Sequence, residues 1–201
     1  LGEPQPWFAE IKKRYPHFIH RRARNGCPVW FEQLGKADLP GLHEVGVTNE
    51  ALERHYLFVT EYLWGVVEPD FDKGQVVTVM DVAGLGLRDL RGEAFSFIKR
   101  AMAVIQEHYV ERSCCMLLVN APSYFSLMWR VVKPLLNERT QAKVSIVGAD
   151  PAKVTATLLE HIPPENLPEE YGGTCPLALG ESEDEAHLWA FVARLNSSGE
   201  D

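Results

Sequence analysis

The sequence has few cysteines, no long apolar run and no surplus of positive charge, and each absence excludes a class of protein. Four cysteines in 201 residues are too few for a disulfide framework. The longest purely apolar stretch, Cys114–Val119, is strand length, whereas a transmembrane helix needs ~18 such residues. A formal net charge of −8 disfavours binding to a phosphate backbone, which requires a basic face. We therefore expect a cytoplasmic protein with reduced thiols and no nucleic-acid partner.

Signals for catalysis are also scarce. The sequence has no Walker loop, no Gly-x-Ser-x-Gly elbow and no histidines at metal-ligand spacing. Gly84-Leu85-Gly86 follows an apparent strand, but a dinucleotide fingerprint needs a third glycine where Asp89 stands. We expect no catalytic residue, no metal and no cofactor. An oxidoreductase that uses this glycine pair is the enzymatic alternative.

Hydrophobic patterns in the first third of the chain predict a short helix, two strands, a loop and a longer helix. In that order they cover Trp7–Arg14, Phe18–Arg22, Pro28–Leu34, Gly35–Gly46 and Asn49–Val66. Asn25-Gly26 between the two strands is typical of a tight hairpin turn. The glycines and the proline of the fourth segment indicate a loop rather than a helix.

From Gly74 onward, strand patterns alternate with helix patterns. The strands are short and nearly continuously apolar, as in a parallel sheet covered on both faces: Val76–Asp81, Cys115–Asn120 and Val144–Val147. Helical patterns cover Glu93–Glu107, Tyr124–Asn137, a segment opened by Asp150-Pro151, and Glu183–Leu195. This alternation predicts an α/β fold with a mainly parallel sheet. Side-chain alternation places Thr78 on one face with Val76 and Met80, and puts Cys114 and Cys115 on opposite faces.

The helical stretch after Pro122 is apolar over more than one face. Phe125, Met128, Trp129 and Val132 form one stripe, and further apolar residues lie beside it. The apolar surface is wider than the ~100° stripe of a helix that packs on one sheet. Such a helix either packs on both sides or covers an apolar cavity, and the pattern alone favours ordinary packing.

Several blocks of sequence resemble the CRAL-TRIO lipid-binding domain, in the class of the phosphatidylinositol/phosphatidylcholine transfer proteins and their animal relatives. The blocks are Asn25–Glu32, Met80–Leu87, Asn120–Leu136, Val147-Gly148, Ile162–Pro168 and Glu170–Gly173. The resemblance implies a lipid-binding domain over residues 15–174. It also implies a remnant of an N-terminal helical region at 1–14 and an extension with a short helix at 175–201.

The resemblance further implies a mixed, mainly parallel sheet that floors a lipid pocket, with a gating helix that closes it. This favours the cavity interpretation of the wide apolar helix. The expected pocket and gate residues are Val76, Met80, Phe125, Met128, Trp129 and Val132. Glu111, Thr140 and Lys143 match positions that bind the inositol phosphate in the family, and Tyr62, Thr78, Tyr109 and Arg112 match positions around the phosphatidylcholine headgroup.

Two positions depart from the family pattern. Cys27 stands where the family has an arginine, and Val76 stands where it has a serine. The function implied is non-enzymatic binding and intermembrane transfer of one phospholipid (phosphatidylinositol, phosphatidylcholine or both) by a monomer that contacts membranes transiently. The alternatives are a carrier of a tocopherol-, isoprenoid- or sterol-like ligand, and a scaffold that acts only through protein contacts.

Overall fold

The central sheet has five strands, which lie side by side in the order in which they occur along the chain. The computed structural model describes residues 1–70, 73–90, 92–109 and 111–198. The strands are β1 (His17–Arg22), β2 (Pro28–Gln33), β3 (Val76–Asp81), β4 (Ser113–Ala121) and β5 (Val144–Gly148). β1 and β2 form an antiparallel hairpin, whereas β2 to β5 pair in parallel. The predicted α/β fold with a mixed, mainly parallel sheet is confirmed.

Several of the helices begin at a residue whose side chain caps the first turn. The helices are α1 (Phe8–Arg14), α2 (Leu39–Glu44), α3 (Asn49–Tyr62), α4 (Gly92–His108), α5 (Phe125–Val132), α6 (Glu138–Ala142), α7 (Pro151–His161) and α8 (Glu183–Ser198). The Thr48 side chain accepts the backbone N–H of Ala51 at the start of α3. Asp150 caps α7 in the same way, and Pro151 occupies the first helical position, where no N–H donor is needed.

Alternation along the strands gives the sheet two different faces. On one face, Val77, Val79 and Leu117 form a buried core with Val154 and Leu158 of α7. The opposite face carries these residues of β2 to β4: Trp30, Glu32, Val76, Thr78, Met80, Met116 and Leu118. Thr78 therefore shares a face with Val76 and Met80, as predicted. This second face looks toward α3, α4 and α5.

A buried ion pair fastens both terminal helices to β1. The Lys12 ammonium of α1 lies 2.9 Å from the Glu185 carboxylate of α8, and the two side chains are 3% and 0% exposed. The same ammonium donates to the carbonyl oxygen of His17, and Glu185 accepts the backbone N–H of Ile19. Residues of α1 and α8 thus share one core with the strands, although the division of the chain at residues 14 and 174 stays a prediction.

The predicted loop over residues 35–46 is wrong, because this segment contains a short 3-10 turn, Leu34–Lys36, followed by α2. The Asp38 carboxylate accepts the N–H of Gly41 and caps α2, and Pro40 lies in its first turn. Leu42 is buried in the core and anchors the helix. The prediction considered only the glycine and proline content of the segment and did not consider Asp38 as a helix cap.

The prediction that Cys114 and Cys115 face opposite sides of the sheet is also wrong. Val76 pairs with Ser113 and Val77 pairs with Cys115, so Cys114 is an extra residue in β4. Such a bulge shifts the alternation by one residue. Both thiols consequently pack against the α7 core, while Ser113 and Met116 line the opposite face.

Replacing Lys12 by methionine tests how much the buried ion pair between Lys12 and Glu185 contributes to stability. We expect Lys12→Met to lower the free energy of unfolding by about 3–5 kcal/mol, because the Glu185 carboxylate then remains buried without its counterion. Lys153→Met is the matched control, since Lys153 faces Asp150 at the surface, and we expect a change of at most ~1 kcal/mol. Urea denaturation of both variants measures the difference. Equal losses of stability in the two variants would contradict a stabilising role for the ion pair between Lys12 and Glu185.

Candidate functional site

Two cavities lie between the second sheet face and helices α3, α4 and α5, and an outer groove lies beside them, between α2, α4 and the segment Gly84–Asp89. The Arg112 cavity, of about 90 Å³, is lined by Tyr56, Trp64, Thr78, Tyr109 and Arg112 among others. The central cavity, of about 160 Å³, lies beneath α5 and shares Tyr56, Met80, Ser113 and Met116 with the Arg112 cavity. The outer groove, of about 540 Å³, shares Tyr15, Leu34, Leu85, Asp89, Phe97 and Ile98 with the central cavity. The three hollows therefore adjoin one another through shared walls.

The Arg112 cavity combines a fixed cation with hydroxyl groups. The Arg112 guanidinium lies 4.8 Å from the Trp64 ring centre and donates to the carbonyl oxygens of Asp70 and Gly74. The Tyr109 hydroxyl donates to Glu61, and burial, followed by that carboxylate, raises the pKa of Tyr109. A guanidinium held in place near hydroxyl groups is suited to phosphate oxygens.

Charged groups lie near the start of β4, beside these cavities. Lys143 donates from its ammonium to the carbonyl oxygen of Ser113 at 2.6 Å. Glu111 and Arg139 form an exposed ion pair, and the positive backbone φ of Glu111 marks the sharp reversal that precedes β4. Thr140 of α6 lines the central cavity, whereas Glu111 and Lys143 do not line it.

Helix α5 forms an apolar cover over the central cavity. Phe125 and Met128 are buried against the sheet end, and Trp129 and Val132 complete the lining on this side. On the outer face of the same helix, Leu127 and Val131 are 47% and 45% exposed. The helix ends in a 3-10 turn, Lys133–Leu135, because Pro134 lacks the N–H that would continue it. The wide apolar stripe thus has one cavity-facing side and one solvent-facing side.

A buried carboxyl group, that of Glu32, lies in the wall of this apolar cavity. Glu32 of β2 is 3% exposed and accepts a hydrogen bond from the Tyr15 hydroxyl. The indole N–H of Trp30 is 3.4 Å from its other oxygen. Burial raises the pKa of Glu32 to about 8. The group is therefore mostly protonated at neutral pH.

The structure brings together most of the side chains predicted for the site. Those that line the Arg112 cavity or the central cavity are Val76, Thr78, Met80, Tyr109, Arg112, Phe125, Met128, Trp129, Val132 and Thr140. Tyr62 is not among them, because its ring packs against Phe191 of α8, with 5.5 Å between the two ring centres. Cys27, one of the two departures from the family pattern, packs against the α7 core on the other sheet face.

Sequence reasoning missed several lining residues. Trp30 and Glu32 belong to the cavity face of β2, and Tyr56 belongs to the apolar stripe of α3. The period of two along β2 and the helical spacing along α3 contained this signal. Neither pattern shows that these stripes face a hollow rather than a filled core.

The glycine pair at the end of β3 gives no support to a dinucleotide site. The Asp89 carboxylate accepts the N–H of Gly86 at 2.7 Å, and so places a negative charge where a phosphate would bind. Within the described residues, no group of three or more His, Cys, Asp or Glu side chains is arranged to hold a metal ion. The described helices include none that is long and apolar enough to cross a bilayer.

Comparison with known proteins gives a family match over most of the chain. The family model described as CRAL/TRIO domain matches residues 12–173. The crystal structure of Sfh5 superposes on 90% of this chain and 66% of its own chain with a TM-score of 0.64 and 15% identity, which supports the fold alone.

Curated relatives are similar at about 30% identity. The Sec14 cytosolic factor of Schizosaccharomyces pombe is 31% identical over 191 residues, covering 89% of this chain and 63% of the relative. The phosphatidylinositol/phosphatidylcholine transfer protein SFH11 of Arabidopsis thaliana is 30% identical over 174 residues, covering 84% of this chain and 45% of the relative. The chain thus spans about half to two thirds of the length of these relatives.

The protonation of Glu32 predicts how stability depends on pH. A carboxyl whose pKa is raised from 4.5 to about 8 binds a proton in the folded state that the unfolded state releases, so stability falls as the pH rises between these values. Between pH 6.5 and 8 the expected loss is about 2 kcal/mol. This window avoids the titration of the buried His55, whose pKa is lowered by burial to about 3. The stability that a neutral His55 contributes is lost only as the pH falls below 6.5, the pKa of a free histidine.

We expect Glu32→Gln to remove this slope, because the amide keeps an acceptor for Tyr15 and has no proton to lose. Urea denaturation of the wild type and Glu32→Gln at several pH values measures the slope. Parallel pH profiles would show that Glu32 is already ionised in the folded protein.

Proposed function

The chain belongs to the CRAL/TRIO domain family, and from this membership we propose that it is a non-enzymatic carrier that binds one phospholipid and exchanges it at membrane surfaces. The observation that supports the proposal is the adjacency of the Arg112 cavity, with its cation and hydroxyl groups, to the apolar central cavity under α5. This is the arrangement that a lipid requires, with a polar headgroup at one end and acyl chains along the rest.

The energetics of such a carrier need no covalent step. Each methylene of an acyl chain gains about 0.8 kcal/mol on leaving water, whether it enters a bilayer or a protein cavity. A cavity lined by side chains such as Met80, Phe125 and Met128 therefore offers the chains an environment comparable to that of the membrane. Exchange then depends on headgroup contacts and on the opening of the cover.

The cavity wall supports α5 as the part that opens. This helix has only two turns, is followed by a proline-containing 3-10 turn, and covers the central cavity with residues such as Trp129. Its exposed residues Leu127 and Val131 would meet the bilayer when the protein docks. Contact with lipid would compensate for exposing the apolar inner face, which water disfavours.

For the lipid itself, we propose phosphatidylinositol, phosphatidylcholine or both. Relatives named for the transfer of these two lipids support this choice, as do Thr78, Tyr109 and Arg112 in the wall of one cavity. Lys143 lies beside Ser113, a residue shared by both cavities, so a phosphate at this end would be within reach of a second cation. The name of the fission-yeast relative supports action on the cytosolic side of membranes.

Lipid extraction tests the proposal directly. Mass spectrometry of the purified protein should detect bound phospholipid, and the protein should move labelled phospholipid between vesicles. A protein that co-purifies with a tocopherol-, isoprenoid- or sterol-like ligand would replace the proposed cargo by that class. A protein that is empty and transfers nothing would contradict the carrier function and favour a scaffold.

Lys143→Ala tests the headgroup assignment. We expect loss of phosphatidylinositol transfer with phosphatidylcholine transfer largely retained, because the latter headgroup would lie against Thr78, Tyr109 and Arg112. Lys133→Ala removes an exposed lysine from the nearby 3-10 turn and serves as the control, with both activities expected to persist. An equal decrease of both activities in Lys143→Ala would mean that Lys143 supports the fold and does not select the lipid.

Paired substitutions on α5 separate binding from membrane contact. Trp129→Glu places a carboxylate in the central cavity, so we expect lipid binding to be lost. Leu127→Glu changes the solvent-facing side of the same helix, so we expect bound lipid to be retained while vesicle transfer slows at least severalfold. Co-purified lipid and transfer rate are measured for both variants. Normal lipid content in a folded Trp129→Glu protein would contradict the assignment of α5 as the cover.

A further inference from the structure

The Glu32 carboxyl is an unusual group for the wall of an apolar lipid cavity. It lies on the cavity face of β2, and the lining of the central cavity there includes Tyr15, Tyr56 and Phe97. Tyr15 also lines the outer groove. A buried polar group without adequate partners costs free energy, so a cavity that only holds acyl chains would be expected to have an apolar residue at this position.

In the described part of the chain, the hydrogen bonds of Glu32 and Tyr15 leave one O–H donor of the pair without an acceptor when Glu32 is protonated. A protonated carboxyl and a tyrosine hydroxyl have one O–H each, and the single bond between Glu32 and Tyr15 uses only one of the two. Trp30 adds a further N–H donor, at 3.4 Å, and no acceptor. Burial holds the Glu32 carboxyl in its protonated form by raising its pKa. Among the described residues, the pair therefore has one O–H without an acceptor, while the carboxyl oxygen facing Trp30 is only weakly bonded.

A second hydroxyl lies in the same region. Tyr56 lines both cavities, and its pKa is raised by burial and then by the neighbouring Glu32. The site thus presents a spare O–H donor and a weakly used acceptor oxygen to the space where a ligand would lie. A lipid hydroxyl satisfies both, because it donates and accepts. An ester carbonyl only accepts, and an anionic group would carry charge into an apolar cavity.

We propose that Glu32 and Tyr15 form a polar site inside the cavity that binds the hydroxyl group of an uncharged lipid alcohol. The inference rests on the proposed function in that it needs a cavity that admits lipid. It goes further by assigning a recognition site within the apolar region, away from the cation of the Arg112 cavity, and by naming the class of ligand that this site selects.

The test compares two probes with equal numbers of non-hydrogen atoms, n-dodecanol and methyl undecyl ether. The ether keeps the acceptor oxygen and lacks the donor. Competition against an uncharged fluorescent dye that enters apolar cavities, 6-propionyl-2-(dimethylamino)naphthalene, gives both affinities. We expect the wild type to bind the alcohol about tenfold more tightly, as one buried hydrogen bond provides. Equal affinities would overturn the proposal.

The variant Tyr15→Phe/Glu32→Met makes this part of the wall apolar, and we expect it to bring the two affinities to within about twofold of each other. A folded variant that keeps the tenfold preference would overturn the assignment of the site to these two residues.

Should the variant not fold, infrared spectroscopy of the wild type replaces it. The carbonyl stretch of the protonated carboxyl, identified by its absence in Glu32→Gln, should shift to lower wavenumber with the alcohol and stay in place with the ether. An unchanged band with bound alcohol would overturn the proposal.

The vesicle transfer assay on the wild type separates this inference from the function on which it rests. A protein that transfers phospholipid but does not distinguish the alcohol from the ether defeats the inference alone. A protein that distinguishes the two probes but transfers no phospholipid defeats the proposed function and leaves the polar site standing.

Discussion

The pleat of the parallel strands is the constraint on which the rest of this structure depends. Because neighbouring residues point to opposite faces, β3 sends Val77 and Val79 into a core filled by α7, and sends Val76, Thr78 and Met80 toward the cavities. The first face is buried against α7, and this core anchors the sheet. The second face can then remain partly unfilled without the loss of the fold, and a hollow of this kind is what a ligand-binding domain requires.

The polar groups along the cavities are graded in charge. At the start of β4, Arg112 and Lys143 place two cations near the Arg112 cavity, where solvent and backbone carbonyls accommodate them. In the central cavity, burial raises the pKa of the Glu32 carboxyl and so favours its uncharged, protonated form. For the proposed phospholipid, this gradient would place charge beside the headgroup and uncharged groups beside the acyl chains.

The terminal helices contribute to the site indirectly. The ion pair between Lys12 and Glu185 holds α1 and α8 against β1, and Ile19 N–H and His17 carbonyl join the same network. Tyr15 follows directly after α1, so the position of this helix determines where the Tyr15 hydroxyl meets Glu32. A feature of the termini therefore governs the geometry of the cavity wall.

The sequence by itself determined the strands, their mainly parallel arrangement, the wide apolar stripe of α5 and the family. These features depend on local periodicity and on motifs, which a single chain displays without folding. Only the tertiary structure decided what the stripes face. The hydrophobic pattern of Tyr56 or Trp129 is the same beside a filled core as beside a cavity, and Tyr62, six residues along α3 from Tyr56, packs against α8 instead. The bulge at Cys114 and the pairing of Glu32 with Tyr15 likewise arise from contacts between segments distant in sequence, which no local pattern encodes.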